Sequence, residues 1–109
     1  MQTEINNKLV RSNLKMDKIL RYELETGLNF TITDIVVLQE ILNGCNHMQT
    51  IKEKHNMKDY NISRSVSRLS DKNRSRVNFG FIEKHKDERS RLLLLTQKGK
   101  LILERLCNE

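Results

Sequence analysis

Apolar residues recur along most of this chain at helical spacing, and the interruptions divide it into segments. Residues 4–24 set Ile5, Leu9, Met16, Ile19, Leu20 and Leu24 among polar neighbours, which predicts a long amphipathic helix stopped by Gly27. Residues 31–42 predict a second helix: Thr31 or Thr33 can cap its start, and Ile35, Val36, Leu38, Ile41 and Leu42 cover much of its circumference. Gly44 stands where a left-handed end is wanted. A short third helix over 49–55 has Ile51 as its main aliphatic, and a polar connection at 58–61 leads to a fourth helix over 61–73. There Ile62, Val66 and Leu69 make one narrow apolar stripe. The period then changes. Val77, Phe79 and Phe81 alternate and 82–84 continue extended, 92–95 is a second strand, and 85–91 is a charged hairpin tip too polar to bury. Thr96 caps a last helix, 97–107, with Leu101, Ile102 and Leu106 expected to face inward.

Helix, helix, short helix, polar helix, hairpin, helix is the order of a winged helix-turn-helix, mainly α with a small β-hairpin. A chain of 109 residues is expected to form one domain. Residues 31–106 would be its core and 1–26 a helix that covers that core or meets a second copy.

The fourth helix carries the chemistry. Around its apolar stripe stand Asn61, Ser63, Arg64, Ser65, Ser67, Arg68 and Lys72, short hydroxyls interleaved with guanidinium groups. Such a surface can donate to base edges and neutralise phosphates in a DNA major groove, or can simply be solvated. Charge favours the first reading. The net charge of +6 is uneven: residues 1–55 hold 7 Lys/Arg against 7 Asp/Glu, and residues 56–109 hold 13 against 7. Residues 58–76 alone, which include Arg74 and Arg76, have six basic and two acidic side chains. With two Tyr, three Phe and no Trp, few aromatics remain to stack single-stranded bases, so duplex DNA is the expected partner.

Other chemistry finds little support. The longest apolar run is the four leucines 92–95, too short to cross a membrane, and no apolar block follows a basic start, so a cytosolic protein is expected. Cys45 and Cys107 lack the spacing of a redox or metal pair and read as free thiols. His47, His55 and His85 lie in three different segments, so no metal or other cofactor is expected. No phosphate loop, Ser/His/Asp set or carboxylate pair supports an enzyme.

Several stretches carry a family resemblance. The run 87–99, DERSRLLLLTQKG, resembles the wing and following helix entry of the MarR family of transcription regulators, including its SarA-like relatives. Ser63 to Leu69 is similar to that family's recognition helix, with Val66 and Leu69 at its buried positions, and Gly80-Phe81-Ile82-Glu83-Lys84 to the phrase entering its first wing strand. The resemblance spans about residues 30–106 and departs in two places. Leu69 and Gly80 are eleven residues apart where the family has only a few, and the family's long C-terminal dimerisation helix has no counterpart before Glu109. It implies a DNA-binding regulator, dimeric through its N-terminal helix, whose wing arginine, Arg89, enters the minor groove while Asp87 orients it. Lys86 and Arg91 would flank that contact. A small-molecule effector is a family trait for which these residues give no support. Two alternatives use the same fold: an adaptor that binds a regulator or polymerase, and a non-specific nucleoid-type binder.

Overall fold

The computed structural model describes residues 13–70, 79–86 and 91–107. Among these it has five helices and one antiparallel hairpin: α1 Met16–Thr26, α2 Ile32–Leu42, α3 Met48–Lys54, α4 Asp59–Leu69, β1 Ile82–Lys86, β2 Arg91–Leu95 and α5 Gln97–Cys107.

Local chemistry sets the helix ends. Gly27, at φ 76°, closes α1 by donating its N–H to the Glu23 carbonyl at 2.8 Å. Thr31 opens α2 with a capping box: its hydroxyl accepts from the Asp34 N–H and its own N–H donates to Asp34 Oδ2, both at 3.0 Å. One long helix over 4–24 does not form. Residues 13–15 are not helical, and the Lys15 N–H donates instead to the Leu106 carbonyl at 2.9 Å, which ties the entry of α1 to the end of α5. Ile5 and Leu9 lie outside the described residues.

The core gathers Ile19 from α1, Val37, Leu38, Ile41 and Leu42 from α2, Ile51 from α3, Ile62, Val66 and Leu69 from α4, and Leu103 and Leu106 from α5. Leu101, expected inside, is exposed, and Leu103 takes the inward position on α5. Four aromatic rings fill the middle. Phe30 stacks on Phe79 with centroids 4.7 Å apart, Phe79 meets Phe81 at 5.2 Å, and Tyr22 lies 5.9 Å from Phe30.

The alternating Phe79 and Phe81 do not belong to the strand, which begins at Ile82. Val77 lies outside the described residues. The Phe79 and Phe81 amides donate to the carbonyls of Arg68 and Leu69, at 3.0 and 2.8 Å, so this segment is laid on the C-terminal end of α4 and its two rings enter the core together. Gly80, at φ 70°, turns the chain into β1. The strands pair from Ile82 opposite Leu95 to Lys86 opposite Arg91. His85, Lys86 and Arg91 are therefore strand residues rather than a tip. On the far edge of β2 the Leu93 N–H donates to the Asn46 carbonyl at 2.7 Å, and His47 bridges Leu92. No helix among the described residues is long and apolar enough to cross a membrane.

Candidate nucleic-acid interface

The fourth helix begins two residues before its expected start and ends at Leu69, with Ser70 extended, so the turn joining it to α3 is residues 55–58. Two polar clasps fix that turn. Lys52 Nζ meets Asp59 Oδ1 at 2.6 Å at the exposed side. On the inner side the carboxylate of Glu40, 5% exposed, receives Lys54 Nζ at 3.1 Å and His55 Nε2 at 2.5 Å. Burial alone would raise the Glu40 pKa, but the hydrogen bonds and charges of His55 and Lys54 outweigh it and hold the carboxyl below its ordinary range.

Ile62, Val66 and Leu69 are buried, as the apolar stripe of α4 requires. The wet face is narrower than the sequence predicts. Tyr60, Asn61, Ser63 and Arg64 are exposed and Ser67 is half-buried. Ser65 belongs to the core side: it is 3% exposed, and its hydroxyl donates to Asp34 Oδ1 at 2.5 Å. Arg68 is also turned back, because its Nη2 donates to the Asn29 carbonyl at 2.7 Å and lies 3.5 Å from Asp34 Oδ2. Its guanidinium carbon is 5.9 Å from the centre of the Phe79 ring. A helical wheel sets Ser65 beside Ile62 and Leu69 but cannot supply the partner, since Asp34 comes from another helix, 31 positions before Ser65 and 34 before Arg68.

The hairpin stands next to this face. Lys84, Lys86 and Arg91 are exposed, and His85 pairs with Glu83 at 3.1 Å. Ser63 and Arg91 are brought together on a shallow cleft of about 200 Å³, with Gln49, Lys52 and Asp59 on its other walls. Lys72, Arg74, Arg76, Asp87 and Arg89 lie outside the described residues. Tyr60 was not legible as a candidate, although its place in the first turn, one residue before Asn61, was the available clue. The other four aromatic rings pack on one another, so Tyr60 is the aromatic that faces solvent.

Cys45 is half-buried and Cys107 buried, both as free thiols. Burial pushes the Cys107 thiol up, with the Lys15 charge partly opposing it, which disfavours the reactive thiolate. Among the described residues no three His, Cys, Asp or Glu side chains gather as a metal site. No family model, curated protein or solved structure matches this chain.

Proposed function

We propose that this protein is a winged helix-turn-helix regulator that binds specific sites in duplex DNA, with the first two turns of α4 in the major groove and the β1–β2 hairpin on the adjacent minor groove. The observation that carries the reading is the split character of α4. One side is locked into the core by Ile62, Val66 and Leu69, while Asn61, Ser63 and Arg64 project to solvent beside a hairpin edged by Lys84, Lys86 and Arg91. That arrangement supports base readout by a rigidly mounted helix and phosphate contact by its flanks. In this reading Arg89, between the two strands, enters the minor groove and Asp87 orients it. A second copy covers the row Met16, Leu20 and Leu24, which lies at i, i+4 and i+8 along α1 and is exposed at 56, 53 and 86%.

The test is selection of a site from random duplexes, followed by titration of wild type, Arg64→Ala and Arg89→Ala at several salt concentrations. Wild type is expected to favour the selected duplex over a scrambled one by about a thousandfold or more. Arg64→Ala should cost about 1 to 3 kcal/mol if it meets a base edge. Arg89→Ala should weaken binding most where the flanks are A/T-rich and narrow-grooved. Weak, salt-sensitive binding without preference would leave a nucleoid-type binder, and no competitive DNA binding would turn the reading to a protein adaptor.

A further inference from the structure

The buried carboxylate of Asp34 receives groups from two helices. It is fully buried in the first turn of α2, where Oδ2 closes the capping box with the Thr31 N–H. Its remaining acceptor capacity is turned across the interior to α4. Ser65 donates to Oδ1 at 2.5 Å, and the Arg68 guanidinium, whose side chain keeps 24% of its exposure, sits 3.5 Å from Oδ2 while donating to the Asn29 carbonyl at 2.7 Å. Ser65 and Arg68 are three residues apart and so share one side of α4. The apolar stripe resists withdrawal of α4 from the core and limits its roll, but hydrophobic burial is not directional and fixes the angle about the helix axis only loosely. The hydrogen bond from Ser65 to a fixed carboxylate is directional and sets that angle more closely. A roll of a few tens of degrees would break the Ser65 hydrogen bond and leave a buried charge short of a donor, a costly outcome.

We infer that Ser65 and Arg68 are positioning residues: through Asp34 they set the rotation of α4 about its axis, and with it which side chains, Arg64 foremost, face the duplex. This rests on the DNA-binding reading above and deepens it, because it assigns specificity to side chains that need not touch DNA. It also separates two arginines four residues apart that look equivalent in the sequence. Arg64 is exposed, and Arg68 is turned inward.

Salt dependence separates direct contact from positioning, since removing one bond to a phosphate lowers the slope of log affinity against log salt by about one. Wild type, Arg64→Ala, Ser65→Ala and Arg68→Ala are titrated across salt against the selected and scrambled duplexes, with circular dichroism to establish that each is folded. Arg68→Lys and Asp34→Asn are carried in parallel, so that an unfolded alanine variant still leaves a readable pair. Ser65→Ala and Arg68→Ala are expected to keep the wild-type salt slope on scrambled DNA and to lose about tenfold of the preference for the selected site, within the range of one mismatched base pair. Asp34→Asn should lose preference in the same way, and Arg68→Lys should recover part of it. An Arg68→Ala slope that falls by about one on scrambled DNA would make Arg68 a phosphate ligand and overturn the inference. So would an unchanged preference in Ser65→Ala and Arg68→Ala. Wild type that does not distinguish the two duplexes would overturn the DNA-binding reading itself, and the positioning role with it.

Discussion

Asp34 and Glu40 are acidic side chains of α2 that face inward, and each holds a different part of the polar surface in place. Asp34 binds α4 through Ser65 and Arg68, and Glu40 binds the end of α3 through Lys54 and His55. The sequence places both on a helix rich in aliphatics, where an acidic residue reads as the solvated edge. Their partners decide otherwise. Glu40 carries a pH dependence of known sign. Its folded carboxyl is held below the ordinary value of 4.5, so its stabilisation is complete above the unfolded value and is lost as pH falls through the lowered folded value. Thermal melts of wild type should drop as pH is lowered from about 5 through the acid range. Glu40→Gln should be less stable by about 1 kcal/mol or somewhat more at neutral pH, and its melting temperature should vary less with pH in that window. Parallel melts that fall equally steeply in both proteins would remove Glu40 as the titrating group.

At the scale of elements, the join between hairpin and last helix rests on Thr96, Gly99 and the turn at Gly80. The Thr96 hydroxyl donates to the Gly80 carbonyl at 2.6 Å and accepts from the Gly99 N–H at 2.9 Å, and the Thr96 N–H donates to the Phe81 carbonyl at 2.9 Å. One threonine therefore caps α5 and ties it to the start of β1. A side chain at Gly99 would be driven into the Phe81 carbonyl, which is backbone and cannot swing aside. Gly99→Ala should destabilise by about 3 kcal/mol or more, through overpacking at a site with no room to relax. A chemical melt measures it, and a loss under about 1 kcal/mol would mean that α5 shifts freely on β1. The Thr-x-x-Gly spacing was legible in the sequence, whereas its reason was not, because Phe81 is 18 positions away. The expected inward face of α5 held at Leu106 and in part at Ile102, and failed at Leu101 for a related cause. Leu101, Ile102 and Leu106 are all apolar, and only the way α5 lies on β2 and α1 selects Leu103 and Leu106 for burial and leaves Leu101 in solvent.

For the whole molecule, α1 carries three of the large apolar side chains exposed among the described residues, Met16, Leu20 and Leu24, in one row. Ile19 and Tyr22 are the buried residues of this helix. If a second copy covers that row, wild type should sediment as a dimer at micromolar concentration. Leu20→Glu should then give a monomer that melts nearly as wild-type monomer would, because the replaced side chain is exposed and leaves no cavity. A monomeric wild type would contradict this.

Among the described residues, the order and number of elements and most of their buried apolar positions followed from the sequence, because a period of 3.6 or 2, a glycine stop and a threonine cap act within a few residues of one another. So did the apolar stripe of α4 and the uneven charge, which are properties of residue type and spacing alone. The tertiary structure decided which polar residues of that helix remain on the surface. Ser65 and Arg68 turn inward because Asp34, far away in the chain, offers a buried carboxylate. A hydrogen bond or a packed ring depends on where a distant segment lies, and no local pattern records that position.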